Sequence, residues 1–248
     1  MRYVMTVSPD FSPDKIAGWY IFNTWLQRQL DIHIHLELYS DFNSQREAFN
    51  RGEIDLIYAN PFDAAVLVRE QGFQAVAVPR GKSDEAVIAV SADSPFHKVE
   101  DLPENLHIAA TSDPDVNLIA MIMLEPANLS AANTNVVQVD SYILVAKQLL
   151  QGKVQAGFFL EESYNGLSKI IKAQLRPLVN SQIHVIQHVF LVGPRLLHMR
   201  EDLVQIFHLM NDSPKGHGVL QSLGFQGWEI QNQEDTEFMI DLMDTLVG

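Results

Sequence analysis

One motif occurs twice in this chain, about a hundred residues apart. The copies are Arg51-Gly52-Glu53-Ile54-Asp55-Leu56-Ile57-Tyr58 and Gln151-Gly152-Lys153-Val154-Gln155-Ala156-Gly157-Phe158. Each follows a stretch of helical periodicity (43–50 and 142–150), turns at a glycine and enters a short apolar strand that stops in a polar loop. Two such helix-glycine-strand units predict two similar α/β lobes, each presenting a strand end to the space between them. A cleft of that kind is a place to hold a small molecule.

Composition narrows the function. At 248 residues, 47% of them hydrophobic, the chain is long enough to bury two modest cores. Its formal charge of -14, from 17 basic and 31 acidic residues, argues against a nucleic-acid partner, which needs clustered Lys and Arg. The absence of cysteine excludes disulfides, thiolate zinc sites and a cysteine nucleophile, and leaves the compartment open. No apolar run is long enough to span a membrane, so no direct membrane insertion is expected. The opening residues 1–7 turn polar too soon for a signal peptide, so an exported form is expected to have lost its leader.

Strand and helix alternate along the chain. Residues 3–8 read as a strand. Ser12 with Pro13 opens a helix whose stripe is Ile16, Trp19, Tyr20, Asn23, Leu26 and Leu30. Strict alternation at 33–38 gives a strand with Ile34, Leu36 and Leu38 inward. Helix 43–50, strand 54–58, helix 62–70 and strand 75–78 complete a first lobe. The β-branched run 86–91 crosses into a second, made of strand 106–110, helix 117–124, strand 136–139, helix 142–150, the second glycine motif and helix 162–171. A long return strand is expected at 184–192, then helices at 201–211 and 234–246. The lobes are therefore placed at 1–84 plus 184–248 and at 85–183.

These features in this order resemble the phosphonate-binding (PhnD-like) group of periplasmic solute-binding proteins of ABC transporters. Gly52-Glu53-Ile54-Asp55-Leu56 running into Asn60-Pro61 is similar to that family's first-lobe strand and loop. Residues 87–95 are similar to its crossing strand, Val99-Glu100-Asp101-Leu102 to the segment after it, and Gly152-Lys153-Val154-Gln155-Ala156-Gly157 to its second-lobe motif, with Gln155 in place of the usual Asp. The resemblance implies an α/β, two-lobed, type II periplasmic-binding-protein fold, a periplasmic or extracytoplasmic location, a small-molecule ligand and a membrane permease as partner. It implies no cofactor and no catalysis.

The departures bear on the ligand. Where the family places a Ser/Thr-rich loop at a helix N-terminus, this chain has Thr111-Ser112-Asp113-Pro114-Asp115, whose carboxylates would repel a dianion. Asp84-Glu85 stands where an aromatic residue is usual, and Asp140-Ser141-Tyr142 where a histidine is. Glu161-Glu162 keeps the family's acid. Such a pocket favours a ligand carrying a cation or many hydroxyls over a simple phosphonate.

The candidate ligand-binding residues are Thr111, Ser112, Asn60, Ser8, Tyr58, Glu161 and Tyr142. Each has a plainer role open to it. Ser112 or Asp113 would serve as an ordinary helix N-cap, Asn60-Pro61 as a strand end, Tyr58 and Tyr142 as core, and Glu161-Glu162 as an acidic first helical turn. His33 and His35 share a strand face with Glu37, read as an outward, solvated face. His184 and His188 lie about 13 Å apart if extended, too far to share a metal ion. No metal site, nucleophile elbow, P-loop or dinucleotide fingerprint is present. Three readings remain: a transporter's solute-binding protein, the ligand-binding input domain of a membrane sensor (histidine kinase or diguanylate cyclase) with its output module as partner, and a small-metabolite enzyme on the same fold.

Overall fold

The computed structural model describes residues 2–247, and the chain divides into two compact units. One contains the chain up to Lys82 together with Gln187–Asp244, the other Ser83–Ile186 with the residues from Thr245. In chain order the elements are β1 (Tyr3–Val7), α1 (Ile16–Leu30), β2 (Ile34–Glu37), α2 (Phe42–Asn50), β3 (Leu56–Ala59), α3 (Pro61–Gln71) and β4 (Gln74–Pro79). The second unit follows with β5 (Ala86–Ser91), β6 (Leu106–Ala110), α4 (Pro114–Ile122), β7 (Thr134–Gln138), α5 (Tyr142–Leu150), β8 (Ala156–Leu160), α6 (Glu161–Gly166), α7 (Lys169–Lys172) and β9 (Leu175–Asn180). The chain then returns with β10 (Val189–Val192), α8 (Arg200–Asp212), α9 (Pro214–Leu223), β11 (Trp228–Ile230) and α10 (Gln233–Val247).

The first unit's sheet runs β11-β4-β10-β3-β1-β2, with β1 parallel to β2 and β3 and β10 antiparallel to β3 and β4. Its side chains alternate between two cores. Met5, Leu56, Tyr58 and Phe190 pack with Trp19, Phe22 and Leu26 of α1 and Phe207 of α8. Ile57, Ala59 and Leu191 pack with Ala48, Phe49, Ala64 and Leu67 of α2 and α3. The second sheet runs β7-β6-β8-β5-β9, with β6 parallel to β7 and β8 and β5 antiparallel to β8 and β9. Val87, Ala109 and Phe159 meet Val145, Ala146 and Leu149 of α5 there.

The repeated motif is repeated in three dimensions, bond for bond. In the first copy the Gly52 N–H donates to the Phe49 carbonyl and Glu53 N–H to Ala48; in the second, Gly152 donates to Leu149 and Lys153 to Gln148. This is the Schellman closure of α2 and α5, and it needs a left-handed residue, met by Gly52 at φ 70° and Gly152 at φ 64°. Three residues on, Asp55 and Gln155 do the same work. The Asp55 carboxylate accepts the Val4 N–H of β1 at 2.8 Å, and the Gln155 side-chain oxygen accepts the His107 N–H of β6 at 2.7 Å. Asp55 also takes a two-pronged bond from Arg195 at 2.6 Å on each oxygen. That partner explains why an acid stands at 55, while an amide suffices for the backbone bond at 155.

Several expectations need correction. The return strand is shorter than 184–192: His184 has φ 62°, and pairing begins at Val189. Tyr20 is half exposed, and Phe22 takes the buried place on α1. The helix expected at 162–171 breaks into α6 and α7, α4 starts earlier than 117, at Pro114, and β7 is exposed along nearly all its length. Three elements, β9, α9 and β11, had no expected counterpart. β9 holds Pro177, tolerated because β9 is an edge strand, and α9 holds Gly216 and Gly218, which lower helix propensity.

Gly18 is needed for a close helix–helix approach. A Cβ at Gly18 of α1 would lie 2.2 Å from the Ser222 carbonyl oxygen of α9, a backbone atom that cannot step aside. Gly18→Ala is therefore expected to cost about 1–3 kcal/mol, the range for overpacking. Thermal unfolding of the variant should show a lower midpoint.

Candidate functional site

In the first unit, polar residues gather at the carboxyl ends of the parallel strands β1 and β3. Ser8 follows β1, and its N–H donates to the Tyr58 carbonyl at 2.8 Å. Asn60 follows β3 and caps α3: its oxygen accepts the Asp63 N–H at 2.8 Å, with Pro61 in the first helical position. Its amide nitrogen donates to Ser8 Oγ at 3.1 Å and to Asp63 Oδ2 at 2.8 Å, and Arg46 Nε meets the other Asp63 oxygen at 2.6 Å. Ser8 and Asn60 are fully buried. Asn60 is thus a helix cap and a support for Ser8, at the strand end where the sequence placed it.

Two residues absent from the candidate set join this cluster. Asp10 and His188 form a buried ion pair, with His188 Nε2 at 2.9 and 3.1 Å from the two carboxylate oxygens. His188 stacks on Tyr58, ring centroids 5.0 Å apart and 25° between planes, while Tyr58 also packs on Trp19 at 4.9 Å. Burial pushes the Asp10 carboxyl up, but the charge and hydrogen bond of His188 and the hydroxyl of Ser8 outweigh it, so the group titrates below its ordinary value. Ser8 and His188 both bond Asp10, so one carboxylate ties the end of β1 to the residue before β10. The sequence signal for the pair was slight: an acid two residues past a strand end, and a histidine just ahead of β10.

The second unit carries the remaining candidates. Asp113, not Ser112, caps α4, accepting the Val116 N–H at 3.2 Å, and its other oxygen receives the Tyr142 hydroxyl at 2.7 Å. Thr111 Oγ1 accepts the Asp113 N–H at 3.4 Å, and the Thr111 carbonyl takes the Asn117 amide at 2.8 Å. Asp113 and Asp115 are both buried, whereas Ser112 is exposed. The structure therefore brings Thr111, Ser112 and Tyr142 together around a carboxylate-capped helix end. Glu161 starts α6 after β8; its N–H donates to the Glu85 carbonyl at 2.7 Å and its carboxylate accepts Asn180 Nδ2 at 3.1 Å. Glu85, noted in the sequence only as a departure, is itself a buried carboxylate. Among the described residues no group of three His, Asp or Glu side chains converges to hold a metal ion, and no helix is long and apolar enough to cross a membrane.

Comparison with known proteins agrees with this architecture. The sequence matches the family described as ABC transporter, phosphonate, periplasmic substrate-binding protein over residues 5–236. No protein of curated function matches it. Among solved structures, PhnD1 from Prochlorococcus marinus (MIT 9301), in complex with methylphosphonate, is similar with a TM-score of 0.83 at 12% identity, covering 99% of this chain and 98% of its own. A binding protein component of an ABC phosphonate transporter from Pseudomonas aeruginosa gives 0.77 at 14% identity, covering 99% and 85%. The periplasmic aliphatic sulphonate binding protein SsuA from Escherichia coli gives 0.68 at 16% identity, covering 99% and 91%. At these identities the structures establish a type II periplasmic-binding fold, and the sequence match establishes that the chain belongs to the phosphonate family of periplasmic substrate-binding proteins of ABC transporters.

Proposed function

We propose that this chain captures a small polar solute for an ABC permease and hands it on unchanged. The ligand contacts are Thr111, Ser112, Tyr142 and Glu161 of the second unit and Ser8 and Tyr58 of the first, with Asn60 acting through Ser8. We further propose that the solute presents donors, an ammonium or several hydroxyls, to the loop at α4 and is not a simple phosphonate dianion. The observation that carries this is Asp113. Helix N-termini attract anions through unpaired N–H groups and the helix dipole. At α4 that end is already met by the protein's own carboxylate, which takes the Val116 N–H and the Tyr142 hydroxyl, with Asp115 buried in the same turn. A second anion arriving there finds the Val116 N–H already taken and two acidic side chains beside it.

Methylphosphonate, the ligand of the structure from Prochlorococcus marinus, discriminates this reading from its alternative. Titration calorimetry is expected to give a dissociation constant no tighter than about millimolar, or about -4 kcal/mol. Asp113→Ser, which retains a capping side chain but removes the charge, should bind it more tightly than the parent. A sub-micromolar constant for the parent would overturn the assignment of a donor-bearing solute.

A thermal-shift screen over a metabolite library identifies the solute, because a ligand bound only by the folded state raises the unfolding midpoint. Ser112 is exposed and caps nothing, so Ser112→Ala isolates binding from stability. With the identified solute, it should weaken binding by about 1–3 kcal/mol, the cost of an unpaired buried polar partner. Its unfolding midpoint should stay at the parent's. Mass spectrometry of the released solute should show no chemical change.

A further inference from the structure

The chain enters the second unit between Lys82 and Ser83 and leaves it between Ile186 and Gln187. Both connecting segments converge on one buried side chain. Glu85 lies on the entering segment and is 3% exposed. Its carboxylate accepts the Ile183 N–H at 3.0 Å, the His184 N–H at 2.7 Å and the Ser83 hydroxyl at 3.1 Å, together with the Ser181 hydroxyl. The left-handed His184, φ 62°, marks the bend at which these two successive amides meet the one carboxylate. Further bonds continue the seam: Asp84 N–H to the Ile186 carbonyl at 2.7 Å, Ser181 N–H to the Ala86 carbonyl at 2.9 Å, and Ala86 N–H to the Ser181 side-chain Oγ at 2.9 Å.

We propose that Glu85 is a clasp that makes the entering segment 83–86 and the leaving segment 181–186 one mechanical body. A carboxylate suits this role because it accepts several donors at once, and charge-assisted bonds are the strong ones. Loss of the carboxylate leaves two backbone N–H groups and two hydroxyls without their acceptor, a cost that falls on both segments together. Burial alone would raise this carboxyl, yet the hydroxyls and amides outweigh it and hold the group ionised to lower pH than usual. The clasp also sets the start of α6, since the Glu85 carbonyl holds the Glu161 N–H.

Amide hydrogen exchange on the full chain tests this without any ligand, so it stands or falls apart from the solute proposed above. In Glu85→Ala, exchange should quicken by roughly tenfold or more at Ile183 and His184, as expected for a lost charge-assisted bond. Asp84 and Ala86 should quicken too, although their N–H groups do not bond the carboxylate. Strands β6 and β8 should keep parent rates. Should Glu85→Ala fail to fold, Glu85→Gln, which keeps one acceptor oxygen, should show the same pattern with a smaller change. Quickening limited to Ile183 and His184 would show a local bond and no clasp. Unchanged rates, or an equal rise throughout the unit, would overturn the proposal as well.

Discussion

The placement of both strand ends rests on one bond type: a side chain just past a glycine turn that seizes the backbone of the neighbouring strand. Asp55 takes the Val4 N–H while its own N–H gives to the Val4 carbonyl at 2.8 Å, closing a ring that fixes β3 against β1. Gln155 closes the same ring on His107, with 2.7 and 2.9 Å bonds, and fixes β8 against β6. A slip of one residue would turn every inward side chain outward. With the register held, β1 and β3 end side by side, so Ser8 reaches the Tyr58 carbonyl and Asn60 reaches Ser8. The Schellman turns upstream make the ring possible by bringing each helix end back onto the sheet.

The helix-glycine-strand unit that carries this device was legible because it is local. Glycine, strand residues and polar terminus stand in one ten-residue window, and the second copy confirms the first. The family resemblance rested on the same windows, and the match over residues 5–236 supports it. Parts of the fold that lack a local signature were harder to read. α9 is broken in sequence by Gly216 and Gly218, yet Gly216 is required because a Cβ there would lie 2.2 Å from the Met210 carbonyl oxygen of α8. The site shows the same division. Thr111 and Asn60 were visible as residues flanking strand ends, but the Asp10–His188 pair spans 178 residues of sequence. Periodicity assigns a residue to a face; it does not name a partner so far along the chain. Asp113 shows the converse, since N-cap propensity offered its local role and the tertiary bond from Tyr142 added another.

The buried carboxylates share a physical logic that links stability to pH. Asp55, Asp63, Asp113, Asp115 and Glu85 are buried, and the Asp10 side chain is shielded with them, in a chain of net charge -14. An ionised carboxylate is tolerated out of water only where donors surround it. Arg195, Arg46 and His188 serve Asp55, Asp63 and Asp10, while Asp113 and Glu85 are held by N–H and hydroxyl groups. For Asp10 and Glu85 the folded-state value lies below the ordinary one, so the unfolded chain binds more protons as pH falls. Their stabilisation is complete above the unfolded carboxylate value and is lost as pH drops through the lower folded value. At the strand and helix ends the same acids take up nearby polar side chains: Asn60 donates to Asp63, Tyr142 to Asp113 and Ser8 to Asp10.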